Sequence, residues 1–302
     1  MHDRRQGRRV VELGRGFDRA QGDLRGGKLR IVIAGVHRAK GEISAAADRI
    51  EAGVLLHGAV RADADASVFH IAPHSICTLW PHVYAKMTFD PLRDLVPVSI
   101  VCSYPMVLAV NADAPIRNVP ELVAYLKAHP DKANAGGTGS VYQVTTKLFE
   151  MRTGSKTQFV TYRSHNDSMI GLMRGDTLMA LVDMGPATGP LKDGRIRALA
   201  VTAGKRVPSW PDVPTIAEAG VKDMDLELWT GLLAPAGTPP AIVTRIRNAV
   251  MEIVRTDEMR EKMKNLEILP VGSTSEAYKA RLAKEIAMWA GVVKAGNIKA
   301  EQ

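Results

Sequence analysis

From about His74 onward, short apolar runs alternate with amphipathic stretches. Val96–Val101, Met106–Val110, Leu178–Val182, Ile196–Val201 and Leu228–Ala234 have the length of strands. Between them, Asn118-Val119-Pro120-Glu121 has the make-up of a capping box, with Asn118 as N-cap and Glu121 reaching back. The helix it opens carries Leu122, Tyr125 and Leu126 on one face, and Pro130 stops it. Ser273-Thr274-Ser275-Glu276 is a second such box. It starts a long helix whose apolar residues Tyr278, Leu282, Ile286, Trp289 and Val293 recur at helical spacing, with Gly296 placed for the C-terminal cap. Strands alternating with helices predict an α/β fold on a mostly parallel sheet. There is no internal repeat or low-complexity linker, so the chain is expected to pass between lobes on strands.

Residues 1–73 read differently. They are polar and rich in arginine and glycine, and no apolar leader of the secretory kind is legible in them. Two apolar runs, Leu29–Val36 and Gly53–Val60, are the strand candidates there, but the capping and turn signals around them are poor. The 302 residues suit one large or two ordinary domains, and no run approaches the roughly 18 apolar residues of a membrane span. Aromatics make up only 5%, so Val, Leu, Ile, Met and Ala must fill most of the core. The net charge is +8, with 13 Lys and Arg against 9 Asp and Glu in residues 1–73 and 27 against 23 in the rest. This excess favours anions in general. Nucleic acid is not expected, because no basic helix or aromatic–basic alternation accompanies it. Cys77 and Cys102 are the only cysteines, and they read equally as a disulfide or as two buried thiols.

The best candidate for ligand contact is Ala135-Gly136-Gly137-Thr138-Gly139-Ser140, followed by a helical pattern from Val141 to Arg152. Glycines let the backbone approach a ligand, and the helix after them starts with unpaired N–H groups and partial positive charge. The Thr138 and Ser140 hydroxyls add donors, which suits a carboxylate or another small anion. The spacing fits neither a phosphate-binding P-loop nor a dinucleotide fingerprint. Asp183 ends an apolar run, where open α/β sheets gather ligands. It can accept from a ligand amine or hydroxyl, or it can cap the next helix. Tyr162 could close over a ligand, and Arg163 could pair with a carboxylate or stay solvated. Ser164, His165 and Asp167 are triad types, but members of a triad come from separate loops and no nucleophile elbow is present. His70, His74 and His82 fit no common zinc spacing, so no metal and no cofactor are expected.

Several strings in this order resemble the solute receptors of tripartite tricarboxylate transporters, also called Bug proteins, over roughly His74 to Ile298. They are Phe89-Asp90-Pro91-Leu92-Arg93-Asp94-Leu95-Val96-Pro97-Val98-Ser99 and Val107-Leu108-Ala109-Val110-Asn111, then Gly194-Arg195-Ile196-Arg197-Ala198-Leu199-Ala200-Val201-Thr202. Pro211-Asp212-Val213-Pro214-Thr215-Ile216-Ala217-Glu218-Ala219-Gly220 and Gly231-Leu232-Leu233-Ala234-Pro235-Ala236-Gly237-Thr238-Pro239 complete them. The resemblance implies a two-lobed periplasmic-binding-protein-like fold of type II. Lobe 1 comprises residues 74–105 and 231–302, and lobe 2 comprises residues 106–230. It implies a small carboxylate held in the interlobe cleft by Ser75, Gly137, Thr138, Gly139, Ser140, Gln143, Tyr162 and Asp183. It also implies delivery to an ion-gradient-driven membrane permease of one large and one small subunit, a periplasmic location and a monomer, not an enzyme.

The family's opening strand, glycine loop and helix are not legible in residues 1–73. These residues are therefore expected to come from a reading-frame error or a wrongly assigned start, leaving the first lobe incomplete or aberrant. Other readings are a ligand-presenting sensor, a regulator's effector domain, which needs a helix-turn-helix that residues 1–73 do not show, a hydrolase, and a non-functional product of a disrupted gene.

Overall fold

A computed structural model describes residues 58–61 and 68–299, apart from Lys86 and Thr88. Leu29–Val36 lies outside the described residues. Of the second apolar run, Gly58–Val60 falls in a strand, β1 (Gly58–Arg61), antiparallel to β2 (Val68–Pro73). Two short helices follow, α1 (His74–Thr78) and α2 (Trp80–Val83).

The organising element is β3 (Leu95–Asn111), a single strand of 17 residues. The sequence predicts two strands here, and the structure merges them. Leu95–Pro105 pairs with β8 (Glu227–Pro235) in one sheet, and Met106–Asn111 pairs with β6 (Met179–Asp183) and β7 (Ile196–Val201) in another. The first sheet, A, runs β1-β2-β8-β3, with the short β9 (Leu269–Pro270) on β3. The second, B, adds β4 (Asn134–Gly137) beside β6 and β5 (Gln158–Thr161) beside β4. The expectation of a mostly parallel sheet is corrected: among the described residues only β4–β5 and β4–β6 are parallel. The reason is that β3 is a shared strand against which β6, β7, β8 and β9 all run in the opposite direction.

The helices form where the caps direct. α3 (Val119–Ala128) opens with Asn118 accepting from the Glu121 N–H at 2.9 Å, while Glu121 accepts from the Arg117 N–H at 2.7 Å. Leu122 and Leu126 then enter the largest core cluster, and such burial is worth about 1.5–3 kcal/mol per side chain. α4 (Gly139–Thr153), α5 (His165–Arg174) and α6 (Met184–Lys192) flank sheet B. α7 (Pro240–Arg255) presents Val243, Ile246 and Val250 to Phe69, Val98 and Leu232 of sheet A, and α8 (Asp257–Asn265) follows it.

α9 (Ser275–Gly296) begins one residue later than its sequence signal. Thr274 is the cap, because the Ser273 hydroxyl is committed to the Ile100 N–H of β3. The helix also ends one residue later, with Asn297 rather than Gly296 in the left-handed conformation. Tyr278 and Leu282 pack in the core of sheet A, whereas Trp289, Val292 and Val293 pack in the cluster of sheet B, so α9 bridges both. A buried network fastens it to β8. The Trp229 indole donates to Glu285 at 2.8 Å, and Arg281 donates to Glu285 at 2.7 Å and to the Glu227 carbonyl at 2.8 Å. Cys77 and Cys102 are free buried thiols, and burial pushes Cys77 up to about 12.

Candidate functional site

Because β4 is parallel to both β5 and β6, their carboxyl ends share one edge of sheet B. Each strand feeds a helix there: β4 leads to α4 through Thr138, β5 to α5 through residues 162–164, and β6 directly to α6. Three helix N-termini therefore gather, each with unpaired N–H groups and partial positive charge. They are not equivalent. α5 is capped by Ser164, whose hydroxyl accepts from the Asp167 N–H at 3.1 Å. Thr138 before α4 and Asp183 before α6 make no side-chain cap bond, so those first turns keep their donors for something else.

Two glycines fit the loop between β4 and α4. Gly137 is buried beneath aromatic rings, and a Cβ there would lie 2.7 Å from the Phe159 ring and 2.8 Å from Tyr142 Cβ. Gly139 turns the chain into the helix at φ +58° with open space around it. Ser140 is half-buried in the first turn of α4, and Gln143 is half-buried one turn further along.

Asp183 is the chemical centre of this edge. Its backbone occupies the cap position of α6, but its side chain turns to Tyr142, whose hydroxyl donates to Oδ2 at 3.1 Å. The capping alternative is thereby ruled out. The other oxygen, Oδ1, is buried without a hydrogen-bond partner among the described residues, and so is Nε2 of His165. The His165 ring lies 5.7 Å from that of Tyr142. Burial pushes the Asp183 carboxyl up, with His165 and the Tyr142 hydroxyl pulling it back. Burial, followed by the neighbouring Asp183, likewise raises the Tyr142 phenol. Asp183 also lines a cavity of about 420 Å³ whose walls are Tyr104–Pro105, Asp183–Pro186 and Asn265–Ile268.

Tyr162, expected to close over a ligand, is half-buried after β5. Its ring packs over Gly136 of β4, and its hydroxyl reaches the space that a Cβ on Gly171 of α5 would fill. It packs between strand and helix. Arg163 is exposed and makes no ion pair among the described residues. Ser164 and Asp167 bond to each other as a cap at 2.8 Å, with His165 turned to Tyr142, so the triad types do not form a triad.

Ser75 lies half-buried in α1, beside His74. The His74 ring is enclosed 6.0 Å from Trp229 and lowered to about 3, by burial first and then by Arg281. Among the described residues no cluster of three or more His, Cys, Asp or Glu could hold a metal. Sequence reasoning missed Tyr142 and the true company of His165. No local signal marks Tyr142, because its partner Asp183 lies 41 positions away in the sequence.

Comparison with known proteins agrees with this architecture. R. palustris Rpa4515, solved with adipate, superposes with a TM-score of 0.67 at 30% identity over 76% of this chain and 78% of that one. MatC from Rhodopseudomonas palustris, solved with bound malate, gives 0.63 at 25% identity over 74% and 78%. BugT of Bordetella pertussis is 30% identical over 211 residues, 69% of this chain and 65% of its own length. A Cupriavidus necator relative is 32% identical over 203 residues, 66% and 61%. The chain thus spans less than two thirds of the length of these two curated relatives. The profile of the tripartite tricarboxylate transporter family receptor matches residues 27–298. The match starts well upstream of His74, so the boundary expected at residue 73 moves back to residue 27. No helix among the described residues is long and apolar enough to cross a membrane. The chain belongs to the tripartite tricarboxylate transporter family of receptors.

Proposed function

We propose that this protein is a periplasmic receptor. It binds a small carboxylate between two lobes and hands it to an ion-gradient-driven permease of one large and one small subunit. It acts as a monomer and catalyses no reaction. Lobe 1 comprises residues 74–105 and 231–302, joined by β1 and β2 through their pairing in sheet A, and lobe 2 comprises residues 106–230. The change of pairing partner on β3 after Pro105 supports the first of these boundaries.

One observation carries the reading: the uncapped N-termini of α4 and α6 open on the strand edge that holds Asp183. Such termini offer donors to an anion without a cationic side chain. Support for the ligand class comes from the relatives solved with adipate and with malate. Thr138 and Ser140 then donate to the ligand carboxylate beside the amides of Gly137 and Gly139, with Gln143 and Ser75 as further contacts.

The test is a thermal-melt screen of adipate, malate and other di- and tricarboxylates, followed by Ser140→Ala and Asp183→Ala on any hit. A ligand that raises the melting temperature, and does so less in both variants, supports the site. Variants that bind as well as the wild type move the site elsewhere.

A further inference from the structure

α8 ends in a turn whose hydrogen bonds are those of a Schellman motif: the Glu267 N–H donates to the Lys264 carbonyl at 3.0 Å and the Ile268 N–H to Met263 at 2.9 Å. The motif needs one residue in the left-handed region, usually glycine. Glycine fills that role after α4 and α5, at Gly154 and Gly175. After α8 the residue is Glu267, at φ +56°. An L side chain there costs conformational energy, and such outliers persist where something else fixes them.

The Glu267 side chain reaches beyond the turn, at the surface. Its Oε2 accepts a hydrogen bond from the hydroxyl of Ser209. Ser209 lies between Val207 and Trp210, which pack into the core cluster of sheet B with Val182 and Ala187. Glu267 leads into β9, which pairs with Cys102 and Ser103 in sheet A. The bond therefore spans the two sheets. A second touch lies beside it: a Cβ at Gly185, in the first turn of α6, would sit 2.8 Å from the Leu266 carbonyl oxygen. Residues 185 and 265–268 also line the cavity that Asp183 lines.

We infer that Glu267 and Ser209 form an interlobe latch, seated by the close approach of Gly185 to Leu266, which holds the two sheets together over the Asp183 cavity. Glu267 is a positioning residue. It acts through the lobes rather than through the ligand, retaining ligand by slowing their separation; only this last step rests on the receptor reading.

The primary experiment is ligand-free small-angle X-ray scattering of the full chain. Ser209→Ala removes the hydroxyl, Glu267→Gly removes the carboxylate and the strain together, and Gly185→Ala inserts a wedge. All three should have a larger radius of gyration than the wild type, whereas Glu267→Gln, which keeps an acceptor oxygen, should stay compact. Glu267→Gly should also melt roughly 2–4 °C above Ser209→Ala, because only it relieves the left-handed residue. Malate and adipate, whichever shifts the wild-type melt, should dissociate several-fold faster from the three expanded variants. Unchanged scattering in Ser209→Ala and Gly185→Ala would overturn the latch, as would Glu267→Gly melting no higher than Ser209→Ala. Expanded variants with neither acid bound by the wild type would leave the latch standing and remove the assigned ligand class.

Discussion

Asp183 holds a carboxyl group where burial disfavours its charge, with one hydrogen bond to Tyr142 and a second oxygen that has none among the described residues. Its folded-state pKa is therefore raised, and the sign of the pH dependence follows. Stability from this group is fully present below the unfolded value near 3.8 and is lost as pH rises through the higher folded value. The ionised form of this carboxyl is the one that the fold disfavours. Asp183→Asn removes the charge but keeps an acceptor for the Tyr142 hydroxyl. It should stabilise the protein by about 0.5–2 kcal/mol at pH 7, the usual gain when a strained functional group is neutralised. The gain should shrink as pH falls, because the protonated wild-type carboxyl is no longer disfavoured by burial.

Tyr142→Phe acts on the same group with the opposite sign. It strips the carboxylate of its one donor, so the loss at pH 7 should be roughly 1–3 kcal/mol, the cost of leaving a buried acceptor unpaired. Urea unfolding of both variants and the wild type between pH 4 and 8, followed by tryptophan fluorescence, measures both slopes. The reasoning fails if Asp183→Asn is less stable than the wild type at pH 7, or if its difference from the wild type does not depend on pH.

Three further outcomes are expected. Asn118→Ala should lower unfolding stability by about 1 kcal/mol in a urea titration, because it removes the acceptor for the Glu121 N–H at the start of α3. Gly137→Ala should cost roughly 1–3 kcal/mol in the same assay, because its methyl meets the Phe159 ring at 2.7 Å and Tyr142 Cβ at 2.8 Å, and melts with malate or adipate should show a smaller shift. His74, lowered to about 3, is neutral in the fold, so its stability contribution is present above 6.5 and is lost as pH falls from there toward 3; His74→Gln should flatten the acid limb of the stability profile over that window.

The elements legible in the sequence were those whose signals are local. Asn118 and Glu121 satisfy backbone donors within one turn, so α3 needs no tertiary information. β3 shows the limit. Its two apolar stretches look like separate strands because Ser103-Tyr104-Pro105 interrupts the pattern, yet β8 pairs straight through the interruption. Only the partner strand makes them one, and that is non-local.

Of the site, the glycine loop and Asp183 were readable from type and position, whereas Tyr142 and His165 were not, since their value lies in contacts between α4, α5 and β6. The strings that carry the family resemblance turn out to be largely scaffold. Arg197 donates to the carbonyls of Ala112, Ala114 and Ile116 and pins the loop after β3. Glu218 accepts from the Thr215 N–H at 2.8 Å and from Arg206 at 2.9 Å, and closes a turn.

The continuity of β3 also constrains how the lobes can move. A strand spanning both sheets cannot let them slide; it can only bend or twist where its partners change. That place is Pro105 to Met106, since Pro105 is the last residue paired with β8 and Met106 the first paired with β6. Proline supplies no N–H to the ladder, so the junction is held by fewer bonds than the strand on either side. The residue opposite Met106 on β6 is Asp183. Asp183 therefore sits on the axis of the bend rather than at the end of a lever. Rotation about that axis leaves Asp183 nearly fixed while carrying the walls of its cavity, α6 on one side and the turn after α8 on the other, through larger arcs. The walls of the cavity, and not Asp183, are therefore what a bend after Pro105 would separate.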